Sequence, residues 1–462
     1  MAGVAFALRD LVNRDDVVSV VRGYLLAGFV STGPWIFTIL ALALTRSLVL
    51  PVMDSQGIAL FHVILVYNFA FSLVFTAPIV LITTRFVADC VYKQTLADIP
   101  GVMMKALLLV IVSGVAISGF FYGVAADLST DVRIAAVLNY CLVAMTWVVG
   151  IFLSVLRGYV IYALAFCAGM LVAAIGACVL GPIYGTAGLL YGFNAGLVLI
   201  VFSVLGRTLA EYPYPLRWQP NYWLYFRRYP GLALYGLLAA AATWADKWVM
   251  WWAPEAQQTA SIMRFFNEYD HALFLVYLTI IPGLTYILVA LETGLEERIR
   301  RYYHEANGHS TYATLQHHQH GIQVFLAEKL RTMMIMQGTV SAVAVLLAPT
   351  IVPWVGGSYT QVAIFQLGVL AAFFHVLVLF LAAVLTYLDL RRTNLLLQLT
   401  LVFLSIMLSA ASLHFGYRFY GLGYLAATLC VFVASYVLVE RVLRNLPFYT
   451  YIVVNVHNRS TS

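Results

Sequence analysis

The stretch QVAIFQLGVLAAFFHVLVLFLAAVLTY, residues 361–387, contains no Asp, Glu, Lys or Arg. An apolar run of about 20 residues is long enough to cross the hydrocarbon core of a bilayer as a helix. Similar runs recur from one end of the 462-residue chain to the other. Apolar residues make up 63% of the chain and charged residues 10%, where a soluble domain carries about 25%. The composition excludes a water-soluble enzyme and indicates a polytopic, all-α membrane protein.

Twelve such runs form two groups of six, separated by a more polar segment in the middle of the chain. Their predicted bounds are 20–50, 57–84, 102–126, 134–156, 158–181, 184–206, 231–252, 271–291, 332–352, 361–387, 394–413 and 421–440. Six spans on either side of a linker is the pattern of many transporters built by internal duplication. Twelve helices without internal symmetry remain the alternative, because the halves share composition more than sequence.

The sequence therefore predicts an N-lobe at 1–206, a cytoplasmic linker at 207–230, a C-lobe at 231–440 and a cytoplasmic tail at 441–462. The side of each loop follows from the bias of Lys and Arg toward the cytoplasm. Most of the 26 basic residues fall in the N-terminus, the linker, the tail and alternate loops. Only three fall in loops on the other side, namely Arg133, Arg264 and Arg418. Both termini are predicted to be cytoplasmic.

Two cytoplasmic segments are long enough to meet a partner protein. The linker mixes arginines, prolines and aromatic residues, a composition typical of the membrane surface. Its Trp218, Trp223 and Arg227 are residue types enriched at protein interfaces, and lipid headgroups are their alternative partners. The second segment, loop 292–331, opens with a charged helical stretch in which Glu296 and Arg300 are spaced to pair.

Motifs of soluble catalysis are missing from the sequence. It contains no GxxxxGK[ST] phosphate loop, no HExxH, no GxSxG and no pair of CxxC motifs. The five cysteines occur singly in apolar stretches, so we interpret them as small core residues. The histidines of Gln316–His320 are interpreted as solvated side chains rather than metal ligands. We expect no enzymatic activity, no cofactor and no metal site.

The seventh predicted span contains two adjacent charges, Asp246 and Lys247, flanked by Trp244 and Trp248. Charged residues inside a membrane are costly, and they usually mark a pathway or pair within a bundle. We therefore expect these four residues to line a substrate pathway. The alternative is an aromatic belt at the periplasmic interface, from which the charges reach water. The following loop is acidic through Glu255, Glu268 and Asp270, which suits either a departing cationic solute or a merely hydrated surface.

The first predicted span is interrupted near its middle by Ser31-Thr32-Gly33-Pro34-Trp35. Proline removes a backbone donor, so the helix is expected to kink or break there. Broken helices are sites of gates and ligands in transporters, and a simple packing kink is the alternative. Trp35 and the intramembrane Arg46 join the candidate pathway. His375 in the tenth span is interpreted as a hydrogen-bonded core residue.

Three motifs carry a resemblance to a known family: MAGVAFALR at 1–9, STGPW at 31–35 and WADKW at 244–248. On these motifs, and on length and span count, the chain resembles the PelG family of Pel exopolysaccharide transporters of the multidrug/oligosaccharidyl-lipid/polysaccharide exporter (MOP) superfamily. The resemblance implies a MATE-like fold, with two six-helix lobes around a central cavity that the seventh span lines. It also implies an inner-membrane location and a complex with the glycosyltransferase PelF and the membrane proteins PelD and PelE.

The function that this resemblance implies is export of an amino-sugar-rich exopolysaccharide from a cytoplasmic glycosyltransferase to the periplasm, with the polymer and the bilayer as partners; no nucleic acid is expected as a partner. Two alternatives stay open. One is an antiporter of the multidrug-export type driven by H⁺ or Na⁺, and the other is a non-transporting membrane scaffold for the synthase. Cation-coupled dye efflux by the protein alone would favour the first alternative.

Overall fold

The computed structural model describes residues 36–155, 159–217, 221–260, 262–308 and 311–453. The described residues form two compact units. Unit 1 contains residues 36–241 together with Gln257–Phe265, and unit 2 contains 242–256 and 266–453. The boundary between the units therefore falls inside the seventh predicted span, after Ala241, and residues 231–241 group with the first six spans.

Unit 1 is built from seven helices and a two-stranded hairpin. Its helices are α1 (Ile36–Val49), α2 (Ser55–Tyr92), α3 (Ile99–Phe120), α4 (Thr130–Val155), α5 (Tyr159–Glu211), α6 (Tyr222–Arg228) and α7 (Pro230–Ala242), and its strands are β1 (Gln257–Thr259) and β2 (Met263–Phe265). The strands pair antiparallel. The hairpin packs on unit 1 because the Tyr67 hydroxyl donates to the carbonyl of Arg264 at 2.7 Å.

Unit 2 contains the remaining helices. They are α8 (Ala245–Met250), α9 (Asn267–Thr279), α10 (Ile281–Ala290), α11 (Glu296–Asn307), α12 (Tyr312–Trp354), α13 (Gln361–Tyr387), α14 (Arg391–Ser412), α15 (Leu422–Arg444) and the short α16 (Leu446–Phe448). An apolar core runs between α10–α12 and α13–α15, and includes Met333, Leu377 and Leu401. Two π-helical turns belong to this unit: Leu291–Leu295 precedes α11, and Tyr449–Val453 follows α16.

Nine helices in the described ranges are long and apolar enough to cross a bilayer. The chain of one of them, α5, reverses direction at Gly185. Its φ of 63° is a backbone conformation that glycine adopts at little energetic cost. Its two arms pack through glycines: a Cβ at Gly176 would lie 2.9 Å from the Cα of Gly192. Such close backbone contact is typical of membrane helix pairs. With α5 counted as two spans, and with α1 and the interrupted α7–α8 segment, the predicted twelve-span, all-α fold is confirmed.

The seventh span is not the continuous helix predicted over 231–252. Helix α7 ends at Ala242, and α8 begins at Ala245 and runs only to Met250. Thr243 and Trp244 form a turn between them. Irregular backbone at membrane depth is tolerated where other protein groups satisfy it, and the Thr243 carbonyl has two such partners, described below. The apolar composition of the stretch concealed this interruption.

The loop 292–331, predicted to be cytoplasmic, also differs from expectation. The charged helix α11 forms as predicted, but its i,i+4 ion pair joins Glu297 to Arg301, not Glu296 to Arg300. The segment before the ninth span is not separate from it, because α12 runs unbroken from Tyr312 to Trp354. At about 1.5 Å per residue this helix is roughly 64 Å long, twice the thickness of a bilayer core. Its first half therefore projects beyond the membrane.

Candidate functional site

The break in the seventh span frees a backbone carbonyl inside unit 2. The carbonyl oxygen of Thr243 accepts a hydrogen bond from the Lys247 ammonium at 2.9 Å and one from the Tyr277 hydroxyl at 3.2 Å. Tyr277 lies in the last turn of α9, so the neighbouring helix completes the coordination of the turn. A polar group exposed by a helix break is thus satisfied by an ammonium and a phenol rather than by water.

Lys247 is held on three sides. Its Nζ donates to the Thr243 carbonyl, lies 2.9 Å from the Tyr277 hydroxyl oxygen, and lies 3.3 Å from Oδ1 of Asp246. The ammonium also sits 4.7 Å from the centroid of the Tyr277 ring and 5.5 Å from that of Trp244. Aromatic faces attract a cation through their quadrupole, most strongly when water is excluded. The side chain is 6% exposed, so this is a buried, fully coordinated cation.

Asp246 is fully buried and makes contact on both carboxylate oxygens. Oδ1 faces Lys247, and Oδ2 accepts a hydrogen bond from the Tyr269 hydroxyl at 2.9 Å. Tyr269 itself is fully buried near the start of α9. A buried carboxylate is tolerable only when it is paired and hydrogen-bonded, and both conditions are met here. Both charges lie inside unit 2 rather than reaching the solvent from an aromatic belt.

A second carboxylate adjoins this pair. Asp270, next to Tyr269, accepts a hydrogen bond from the indole N–H of Trp251 at 3.0 Å and interacts electrostatically with Lys247. On the opposite side the Lys247 ammonium lies 6.0 Å from the ring centroid of Tyr424, whose hydroxyl is hydrogen-bonded to the Nδ1 atom of His375. Four elements, α8, α9, α13 and α15, therefore contribute to one polar network. We call it the charged network.

The sequence identified only part of this network. Asp246 and Lys247 were singled out, Asp270 was assigned to the loop, and His375 was interpreted as a hydrogen-bonded core residue, which its bond to Tyr424 supports. Tyr269 and Tyr277 were missed. The predicted eighth span began at residue 271 and so left Tyr269 in the loop, whereas the observed α9 begins at Asn267 and carries both tyrosines.

The other candidate pathway residues are placed less centrally. Trp244 lies beside Lys247 and is half-buried, as is Trp248. Arg46 lies on α1 in unit 1 and is exposed. Trp35 lies outside the described residues. The structure thus brings together Trp244, Asp246 and Lys247, and their role in transport stays a prediction.

Unit 1 contains a buried polar cluster of a different kind, which the sequence analysis did not anticipate. Asn68 donates to the side-chain oxygen of Asn139 at 2.9 Å, and Asn139 donates to that of Asn194 at 2.7 Å. Asn194 ends the series by donating to the carbonyl of Ala135, and the Tyr122 hydroxyl donates to Asn68 at 2.7 Å. We call these four side chains the amide network. The sequence feature that could have predicted the amide network is the single asparagine in each of three apolar spans.

The linker helix α6 presents two different faces. Tyr222 is buried, with its hydroxyl 2.8 Å from that of Thr83, and Tyr225 donates to Asp89 at 2.8 Å. Burial raises the pKa of Tyr222 to about 12, against the smaller opposing effect of the bond to Thr83, so the phenol stays neutral at physiological pH. On the other face, Trp223 and Arg227 are exposed and four residues apart. Trp218 lies outside the described residues.

In the described part of the chain, no group of three His, Cys, Asp or Glu side chains is placed to hold a metal ion. The histidine run lies on the projecting half of α12, where His317 and His320 are exposed and His318 is half-buried. His317 and His318 make only an edge contact between their rings at 5.9 Å.

Comparison with known proteins places this geometry in context. The family model described as "PelG: Putative exopolysaccharide Exporter (EPS-E)" matches residues 1–451. No curated protein sequence matches the chain.

Several solved transporter structures share the fold. The outward-facing conformation of a multidrug resistance MATE family transporter of the MOP superfamily superposes with a TM-score of 0.63 at 14% identity, covering 96% of this chain and 99% of that chain. A single-residue variant of the Vibrio cholerae MATE transporter VcmN gives a TM-score of 0.63 at 12% identity, with the same coverage. A MOP superfamily transporter from Pyrococcus furiosus gives 0.58 at 13% identity, again covering 96% and 99%. At these identities the likeness establishes the MATE-type fold alone.

Proposed function

The chain belongs to the PelG family of exopolysaccharide exporters, and on that premise we propose that it carries an amino-sugar-rich exopolysaccharide across the bacterial inner membrane to the periplasm. The MATE-type fold over 96% of the chain supports a multi-pass exporter. The observation that carries the finer proposal is the buried pair of Asp246 and Lys247 at the break of the seventh span. We infer no catalytic step, because the polymer needs passage and not bond formation.

The chemistry of the pair suits a polymer bearing free amines. Lys247 is an alkyl ammonium that already binds a carboxylate, a carbonyl and two aromatic faces. The ammonium of a deacetylated amino sugar presents the same charge and the same donors. It would compete with Lys247 for Asp246 when the polymer is present, and Lys247 would neutralise Asp246 when it is absent. Trp244 and Trp248 supply flat faces on which sugar rings can stack.

The test is to remove the charge of Asp246 while keeping its volume. We expect Asp246→Asn to reduce extracellular polymer strongly, with normal amounts of protein in the membrane, since Asn still accepts a hydrogen bond from Tyr269 and the Asp270 carboxylate still interacts with Lys247. Asp127→Asn is the matched control, because Asp127 is exposed and outside the charged network. Wild-type export by Asp246→Asn, at equal protein levels, would refute the pathway assignment and favour a scaffold role.

We further propose that both termini are cytoplasmic and that α6 docks the glycosyltransferase PelF, with PelD and PelE as membrane partners. The support is the outward face of α6, where Trp223 and Arg227 project while Tyr222 and Tyr225 anchor the helix. Replacing Trp218, Trp223 and Arg227 together should abolish co-purification with the glycosyltransferase. Trp252→Ala, a change at a Trp that is 68% exposed but far from the linker in sequence, should not. Unchanged co-purification of the triple variant would exclude this docking surface.

The orientation has its own test. Single cysteines in 253–260 should react with a membrane-impermeant thiol reagent added from the periplasm, whereas cysteines in 221–228 should react only after the membrane is opened. Labelling of α6 from the periplasm would reverse the topology and remove the docking proposal with it.

One observation favours a second function, cation-coupled antiport. The charged network holds two carboxylates, Asp246 and Asp270, but a single ammonium, so a proton or Na⁺ could balance the second carboxylate. If this is the energy source, the purified protein in liposomes should extrude a cationic dye when a Na⁺ or H⁺ gradient is applied. Asp270→Asn should abolish that flux. Gradient-independent polymer export that survives Asp270→Asn would assign the energy to polymer synthesis instead.

A further inference from the structure

Unit 2 contains a groove of about 610 Å³ between α12, α13 and α15. Its floor is apolar and buried, with Phe380, Leu381 and Val384 each no more than 2% exposed. Its rim is open, and Met334, Ile335 and Tyr436 along it are 40–62% exposed. A long apolar floor with an exposed rim fits a flexible hydrocarbon chain better than a polar solute.

One end of the groove is polar. The amides of Gln319 and Gln323 donate to the carbonyls of Leu443 and Arg444, at 2.8–2.9 Å, and so cap the end of α15. These bonds set Gln323 on α12 level with the end of α15. Arg331 lies eight residues further along α12, about 12 Å higher. The groove therefore runs from a capped, hydrogen-bonding end past an arginine to a purely apolar end.

The charged side chains that line the groove favour an anionic ligand. Arg444 is paired with Glu440, but Arg331 has no carboxylate within ion-pair distance among the described residues. The lining thus carries one uncompensated positive charge, on an exposed side chain at the start of the predicted ninth span. That position is the depth of the lipid headgroups, because the apolar stretch 332–352 begins at the next residue.

From this arrangement we propose that the groove binds an acidic phospholipid of the cytoplasmic leaflet, with its phosphate at Arg331 and an acyl chain along Leu330, Met334, Leu381 and Val384. From Arg331 toward the membrane interior the lining of the groove continues through Met334 to Ile335, about 6 Å along α12, so the groove holds the first part of an acyl chain. Bound there, the lipid would fix α12, whose other half projects into the cytoplasm. The inference does not depend on the proposed polysaccharide export, but its choice of leaflet rests on the proposed cytoplasmic orientation of the loops.

The test uses a photoreactive phosphatidylglycerol with the reactive group in its acyl chain, added to the full-length protein in nanodiscs. Crosslinks should map to peptides within 323–335, 380–384 and 436–444. Unlabelled phosphatidylglycerol should compete, and phosphatidylcholine and glycerol 3-phosphate should not. Equal competition by phosphatidylcholine would refute headgroup recognition, and competition by glycerol 3-phosphate would show a phosphate site rather than a lipid site.

Two variants sharpen the result. Arg331→Gln should lower labelling about fivefold, since one basic residue near a membrane surface contributes about 1 kcal/mol to binding an anionic lipid. Arg392→Gln, at another exposed arginine that begins a helix, is the control and should leave labelling unchanged. Ala327→Trp should fill the groove and abolish labelling, whereas Val324→Trp, one turn earlier and outside the lining, should not.

Two outcomes would overturn the proposal outright. One is labelling that is unchanged in both Arg331→Gln and Ala327→Trp. The other is labelling confined to other helices, combined with loss of a co-purifying partner subunit in Ala327→Trp, which would make the groove a protein interface. Thermal unfolding of each variant, compared with wild type, separates these results from misfolding.

Discussion

Each unit of this exporter buries a polar network among its membrane helices, and the two networks differ in charge. In unit 1 the amide network of Asn68, Asn139, Asn194 and Tyr122 is neutral, and it ends on a backbone carbonyl. In unit 2 the charged network is organised around Lys247, which meets a carboxylate, a freed carbonyl and a phenol. In both networks the buried polar groups have hydrogen-bond partners. The free-energy cost of losing a partner differs, because one network is charged and the other is neutral.

The difference indicates what each network is able to do. An amide is uncharged at every physiological pH and binds no ion strongly. The amide network therefore specifies how α2, α4 and α5 pack and does little else. Desolvating a buried ion pair costs much free energy, and each of its two members can exchange its partner for another ion of opposite charge. The charged network also lies at a helix break, where the backbone has fewer hydrogen bonds to lose in a rearrangement. Unit 2 is therefore the part of the molecule suited to respond to a charged substrate or ion.

The largest expected effect tests the ion pair directly. Lys247→Met should lower the free energy of unfolding by about 3–5 kcal/mol, because it leaves the fully buried Asp246 without its cation. The measurement is denaturant or SDS unfolding of the purified protein in detergent, followed by tryptophan fluorescence. Lys93→Met, which removes an exposed lysine, should change stability by less than about 0.5 kcal/mol.

A double variant completes that experiment. Asp246→Asn combined with Lys247→Met should recover most of the loss, since replacing both members of a buried pair removes the uncompensated charge. A double variant as unstable as Lys247→Met alone would mean that the bonds of Lys247 to Thr243 and Tyr277, not its charge, hold the network together.

The contrast also explains how far the sequence could predict the structure. Spans such as 361–387 were located to the residue, because an apolar run bounded by polar residues reports membrane crossing directly. Asp246 and Lys247 were found for the same reason, since charges stand out in such a run. The interruption at Thr243 was not predictable from composition: neither residue of the turn is Gly or Pro, and the partners that satisfy it come from α9.

The amide network escaped prediction for a related physical reason. A single Asn in an apolar helix is compatible with many partners, and which one it meets depends on how the helices pack. The hairpin Gln257–Phe265 illustrates the same limit. Its acidic neighbours suggested either a surface for a departing cationic solute or a hydrated loop, and neither reading predicts a strand pair that packs on Tyr67. Local patterns thus predicted the elements, and long-range contacts decided the networks.

The next effect in size concerns the amide network. Asn139→Leu should cost about 1–3 kcal/mol of unfolding free energy, since it leaves the side-chain oxygen of Asn194 buried without a donor. Polymer export per molecule of folded protein should stay near wild type, because the amide network carries no charge for the substrate to exchange. Export that falls as steeply as in Asp246→Asn would show that both networks serve transport, and the contrast drawn between the units would fail.

The smallest effect compares the loss of one oxygen atom in each network. Tyr277→Phe removes a hydroxyl that meets an ammonium, and hydrogen bonds to charged groups contribute about 1.5–3 kcal/mol. Tyr122→Phe removes a hydroxyl that meets a neutral amide, for which the contribution is about 0.5–1.5 kcal/mol. Both tyrosines are on membrane helices and keep their rings in the variants, so the difference in unfolding free energy isolates the charge. Tyr277→Phe should therefore be the more destabilising by about 1 kcal/mol, and equal losses would mean that the buried ammonium of Lys247 draws its stability from Asp246 and Thr243 without the phenol.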